Sequence, residues 1–93
     1  MKHIPDFKTS LERQQWFVAN ADYFTAITRR NMINERVEFS TLVAAEAFAR
    51  EMLLQDLTLK PYIIYAVVND SDSFVKTVLR DGHGPTVGIV SKQ

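Results

Sequence analysis

Seven consecutive apolar residues, Tyr62–Val68, constrain the fold of this chain more than any other feature in it. The run is far shorter than the roughly 20 residues that cross a bilayer as a helix. It is dominated by β-branched and aromatic side chains, which favour the pleated state. It does not alternate, so it is expected to be a central strand covered on both faces. Everything else must supply that cover. The chain has 93 residues, a length that suits one domain (1–93) able to bury a modest core without staples.

The absence of cysteine excludes disulfides, thiolate zinc sites and a cysteine nucleophile. It fits a reducing compartment. Met1-Lys2-His3-Ile4-Pro5-Asp6 has no apolar stretch behind its lysine, so no secretory signal is read there. The expected location is cytoplasmic, with no membrane partner. Eleven Lys and Arg balance eleven Asp and Glu. A chain near zero net charge has no global field to attract nucleic acid, and it lacks a barrier to self-association.

The rest of the chain reads as helix, hairpin, helix, hairpin and tail. Thr9 with Glu12 matches a capping box that opens a helix over about 9–21, with Phe7 placed to pack back on it and Trp16 and Phe17 to anchor it. Residues 23–30 read as a strand, 31–34 as a turn. Arg36 to Ser40 alternate, Val37 and Phe39 to one face, Arg36 and Glu38 to the other. A second helix over about 41–55 starts at Ser40 or Thr41. It places Ala45, Phe48, Ala49 and Met52 on one face, with Glu46 and Arg50 paired at i, i+4 outside it. Asp56 would rotate into the apolar face, so the helix is expected to stop before it, and Pro61 enforces the break. Polar residues 69–73 read as a turn, Phe74 to Leu79 as the strand that completes a second hairpin, with 80–93 as loop and tail and a short strand conceivable at 86–90. No internal repeat is visible. The fold class is α+β: a two-layer sandwich with an antiparallel sheet in β-β-α-β-β order and an additional N-terminal helix.

Two gaps in that scheme bear on function. The covering helix leaves one face of Tyr62–Val68 for the N-terminal helix or a second copy of the chain to cover. Val43, Ala47 and Leu54 also lie within about 40° of one another on the outer side of the second helix. They are the candidate partner interface.

Chemistry-bearing motifs are sparse. Asp70-Ser71-Asp72-Ser73 resembles the start of a calcium loop, but Val75 and Asp81 stand where that loop needs glycine and glutamate. It reads as a hairpin turn. His83 between glycines, with Asp81 two residues away, is a candidate ligand contact or general base, without a companion histidine nearby. No nucleophile elbow, phosphate loop or dinucleotide motif is present. No cofactor, metal or catalytic residue is assigned.

Arg29, Arg30 and Arg36 cluster around the first hairpin turn, near Tyr23 and Phe24, and are candidate nucleic-acid contacts. Residues 23–54 run from strands ending in Phe39-Ser40-Thr41 into the Ala45-Glu46-Ala47-Phe48-Ala49 helix. That stretch, a third of the chain, loosely resembles the sheet-plus-helix modules of integrase arm-binding domains and of a plant class of DNA binders. The resemblance implies DNA contact by the hairpin, although the strand those modules carry on the N-terminal side is not evident. Basic residues at a hairpin edge also serve simply to block stray strand pairing.

Three functions follow, in this order. The first is a non-enzymatic interaction or assembly protein acting as a homodimer. The second is a nucleic-acid-binding module using the first hairpin. The third is a small ligand-binding or enzymatic domain using Asp81 and His83, or a pocket between the N-terminal helix and the sheet.

Overall fold

The computed structural model describes residues 2–80. The 86–90 strand therefore lies outside the described residues. Thr9 caps the first helix, α1 (Ser10–Asn20): its hydroxyl accepts from the Glu12 amide at 3.1 Å. Glu12 reaches back to the Lys8 amide at 3.0 Å, one residue before the partner a capping box uses. Phe7 folds against Trp16 and Phe17, with ring centroids 5.9 and 6.4 Å away. Phe17 itself is fully buried and ties α1 to the core.

The first hairpin joins β1 (Tyr23–Arg30) to β2 (Ile33–Phe39). Its turn is only Asn31 and Met32, at φ 51° and 71°. Two successive left-handed residues match the twist of the flanking strands, which lets β2 begin three residues before its alternation becomes readable. The second helix, α2 (Leu42–Gln55), is capped by Thr41, whose hydroxyl accepts from the Ala44 amide at 3.1 Å. It ends where expected: Asp56 leaves the helix and its amide donates back to the Met52 carbonyl.

The second hairpin joins β3 (Tyr62–Val68) to β4 (Ser71–Val78). Asn69 and Asp70, at φ 52° and 67°, make the whole turn. The polar cluster at 69–73 is thus shorter as a turn than its composition suggests. Ser71, Asp72 and Ser73 already pair with β3, and Ser73 is buried opposite Ala66. A bulge in β4 leaves Val75 without a partner across β3, and the carbonyl of Val75 accepts from the Gln14 side chain of α1.

The four strands form one antiparallel sheet in the order β2-β1-β3-β4, giving a two-layer α+β fold. Tyr62–Val68 is central, as its apolar run predicts. Its even-numbered residues Tyr62, Ile64, Ala66 and Val68 pack with Phe24, Ala26, Val78, Ala45, Ala49, Leu53 and Phe17 in one core. Both helices therefore lie on the same side, α1 across β3 and β4, and α2 across β1 and β2 with its flank reaching the other two strands. The expectation that both faces of β3 are covered is not met among the described residues. α1 adds to the core layer and leaves the far face open, because Phe17 and the aromatics around it join the even-numbered face.

The expected Glu46–Arg50 pair is also replaced. Glu46 turns toward the sheet and pairs with Lys76 at 2.5 Å, both side chains mostly buried. A cation on the core face of β4 needs a counter-charge, whereas Arg50 is already solvated.

Candidate functional site

The strand register assigns every residue on the open face to a row across the sheet. One row runs Arg36, Ile27, Ile63, Thr77; the next runs Glu38, Thr25, Tyr65, Phe74; a third holds Tyr23, Val67 and Asp72. Six of these side chains are aromatic or aliphatic. Thr25 and Val67 are only 2% and 4% exposed, although no helix or strand among the described residues lies over them. Phe74 stands 50% exposed and meets Tyr65 edge to face at 6.4 Å. The charged groups on these rows sit toward the edges. Arg36 bonds Glu38 at 2.7 Å and lies over the Tyr23 ring at 5.9 Å. Glu38, and to a smaller degree Tyr23, raises the pKa of the Arg36 guanidinium.

The three arginines around the first turn are separated in role. Arg30 is drawn to the core side, where it bonds Glu35 at 2.9 Å and also Asp56. Arg36 is held by Glu38. Among the described residues Arg29 takes part in none of the ion pairs. The hairpin therefore does not present three free cations together. The segment before β1 is the helix α1, where the DNA-binding modules carry a strand.

Val43, Ala47 and Leu54 all face outward on α2, with Val43 and Leu54 exposed by 76% and 69%. Arg50 and Glu51, both exposed, lie between Ala47 and Leu54 along the helix. Asp81 and His83 lie outside the described residues.

A recess of about 570 Å³ does separate α1 from the β4 edge, lined by Leu11, Arg13, Gln14 and Phe74 among others. Its two long polar side chains are already in use. Arg13 donates to the Asp72 carbonyl at 2.9 Å and Gln14 to that of Val75, so α1 blunts the free edge of β4. Arg13 also rests over the Phe17 ring at 4.3 Å. A second cleft, of about 440 Å³, opens at one end of the open face. Among the described residues no group of three or more His, Asp or Glu is placed to hold a metal ion. No helix there is long and apolar enough to cross a membrane.

No protein-family model, curated protein or solved structure matches the chain.

The sequence points to the helix stripe and to an uncovered face of Tyr62–Val68, but not to Tyr23, Ile27 and Phe74, which the neighbouring strands add to that face. The available signal was the apolar residues at odd positions in both central strands. The even positions are apolar too, and that hid it.

Proposed function

We propose that this chain is a non-enzymatic interaction protein that assembles as a homodimer, open sheet face against open sheet face. The observation that carries the reading is the uncovered apolar face of β1 and β3, which no element within residues 2–80 packs against. Apolar side chains in a continuous sheet face gain about 25 cal/mol for each Å² they remove from water. Four strands about 4.8 Å apart and three rows about 7 Å apart give a projected face of roughly 400 Å². Side-chain relief brings the accessible area to on the order of 500 Å² per copy, or about 1,000 Å² in a pair, the lower bound for a specific interface.

Charge favours a second copy as the occupant. Arg36 and Glu38 neutralise each other within the same strand, so a like face brings no unpaired charge from that edge into the interface. Sheets packed this way sit about 10 Å apart with strands nearly aligned, turning two layers into four. The outer stripe of α2 is the competing surface, but Arg50 and Glu51 divide it.

Sedimentation velocity across a wide concentration range tests the proposal. A two-chain species is expected. Phe74→Glu should convert it to a monomer, while Val43→Glu and Leu54→Glu should leave it intact. A monomer at every concentration overturns the dimer, and loss of the dimer in the helix variants alone overturns the face assigned to it. Oligonucleotides are expected to show no salt-sensitive binding; binding that Arg29→Ala weakens would instead favour the nucleic-acid reading.

A further inference from the structure

The cleft at the end of the open face combines an apolar floor with two cations. Ile27 and Ile63 are adjacent partners across β1 and β3 and form the floor. Pro61 and Thr77 border it, and the exposed Arg29 and Lys60 stand on its rim. Neither Arg29 nor Lys60 takes part in an ion pair among the described residues. Among the described residues no acidic side chain lines the cleft.

The two cations are held near each other by the backbone. The Lys60 amide donates to the Arg29 carbonyl at 3.2 Å. The buried Thr28 hydroxyl donates to the Lys60 carbonyl at 2.5 Å. Arg80 then fixes the preceding residue by donating to the Leu59 carbonyl at 2.8 Å. The rim is therefore anchored on both sides, although the side chains themselves are long and solvated.

We infer that this cleft binds a small anionic amphiphile, a free carboxylate with a medium-length apolar chain. The chain lies over Ile27 and Ile63, and the carboxylate lies between Arg29 and Lys60. The volume falls in the range of small-molecule sites. The specificity follows from the two halves: a neutral molecule of the same shape has no use for the cations, and a bare anion has no use for the floor. The cleft is built by one chain, but Ile27, Ile63 and Thr77 also form the first row of the proposed dimer face, so the ligand and a second copy compete for that row.

Amide chemical-shift titrations of the full chain with octanoate, octanol and inorganic phosphate provide the test. Octanoate is expected to shift residues 27–29, 60–63 and 77, and to bind about tenfold more tightly than octanol or phosphate, with the advantage over octanol fading at high salt. The Arg29→Ala, Lys60→Ala pair should abolish that advantage without changing octanol binding. Both substitutions lie outside the three rows assigned to the dimer, so sedimentation of that variant without ligand should be unchanged, and repeating the titration on the monomeric Phe74→Glu chain, where octanoate should still bind, makes the two proposals fail separately. Equal binding of octanol and octanoate, equal binding of phosphate and octanoate, octanoate binding unaffected in the variant, or shifts centred elsewhere would each overturn the inference.

Discussion

Asp56 connects three parts of the molecule through one residue. Its carboxylate accepts from the Thr58 hydroxyl at 2.6 Å and amide at 2.9 Å, and it pairs with Arg30. Its carbonyl accepts from Arg80, which also donates to Leu53 and Leu59 and so satisfies backbone groups where α2 ends. The Thr58 bonds, with Arg30 behind them, hold the Asp56 carboxyl below its ordinary pKa. Asp22 is lowered in the same direction, first by Lys2 and then by the Asn69 amide. A lowered folded pKa means that the stabilisation is complete above the unfolded value, near pH 4, and is lost as pH falls through the folded value. Asp56→Asn is accordingly expected to be less stable than the parent at neutral pH, with the difference narrowing steadily below about pH 4. Urea unfolding at a series of pH values checks this; a constant difference down to pH 2 would contradict the assignment.

At the scale of elements, the two hairpins use the same solution with unequal residues. Asn31 and Asn69 tolerate the first left-handed position, and Asp70 tolerates the second. Met32 does not, since a Cβ in that region costs roughly 1–2 kcal/mol. Its side chain is 82% exposed, so little packing offsets the cost. Met32→Gly is expected to stabilise the protein by roughly 0.5–1 kcal/mol after the entropy of glycine is counted. Denaturant midpoints measure it directly, and a destabilised variant would show that Met32 makes contacts beyond the turn. The brevity of these turns also explains the strand starts. The asparagines at 31 and 34 and the polar cluster at 69–73 suggest longer turns, but each turn consumes only two residues, and the remainder joins the ladder.

At the scale of the molecule, the order helix-strand-strand occurs twice, with the first strand of each set at the centre of the sheet. Each helix covers the other set's hairpin. No sequence repeat announces this; the repetition is of topology. Its consequence is that both helices are committed to one face, and among the described residues no element covers the other. Because the proposed dimer dissociates on unfolding, the Tm of the parent should rise with protein concentration and that of Phe74→Glu should not. Calorimetry over a hundredfold range of concentration would reveal it, and a concentration-independent parent would argue against the assembly.

Local chemistry was legible in the sequence. Thr9 and Thr41 as caps, the stop at Asp56, the alternation of Val37 and Phe39 and the central place of Tyr62–Val68 all depend on neighbours within a few residues. Ion-pair choice was not legible, because the partners are distant: Glu46 takes Lys76 rather than Arg50, and Arg30 takes Asp56, 26 positions away. The candidate face was hidden for a related reason. β3 is apolar on both sides, so its sequence demands cover twice, but periodicity carries no information about which side a helix chooses. The sequence by itself determined that the strand is central and apolar on both faces. Only the tertiary structure decided that both helices cover the same one, because Phe17 of α1 and Ala45, Ala49 and Leu53 of α2 all bury against the even-numbered face.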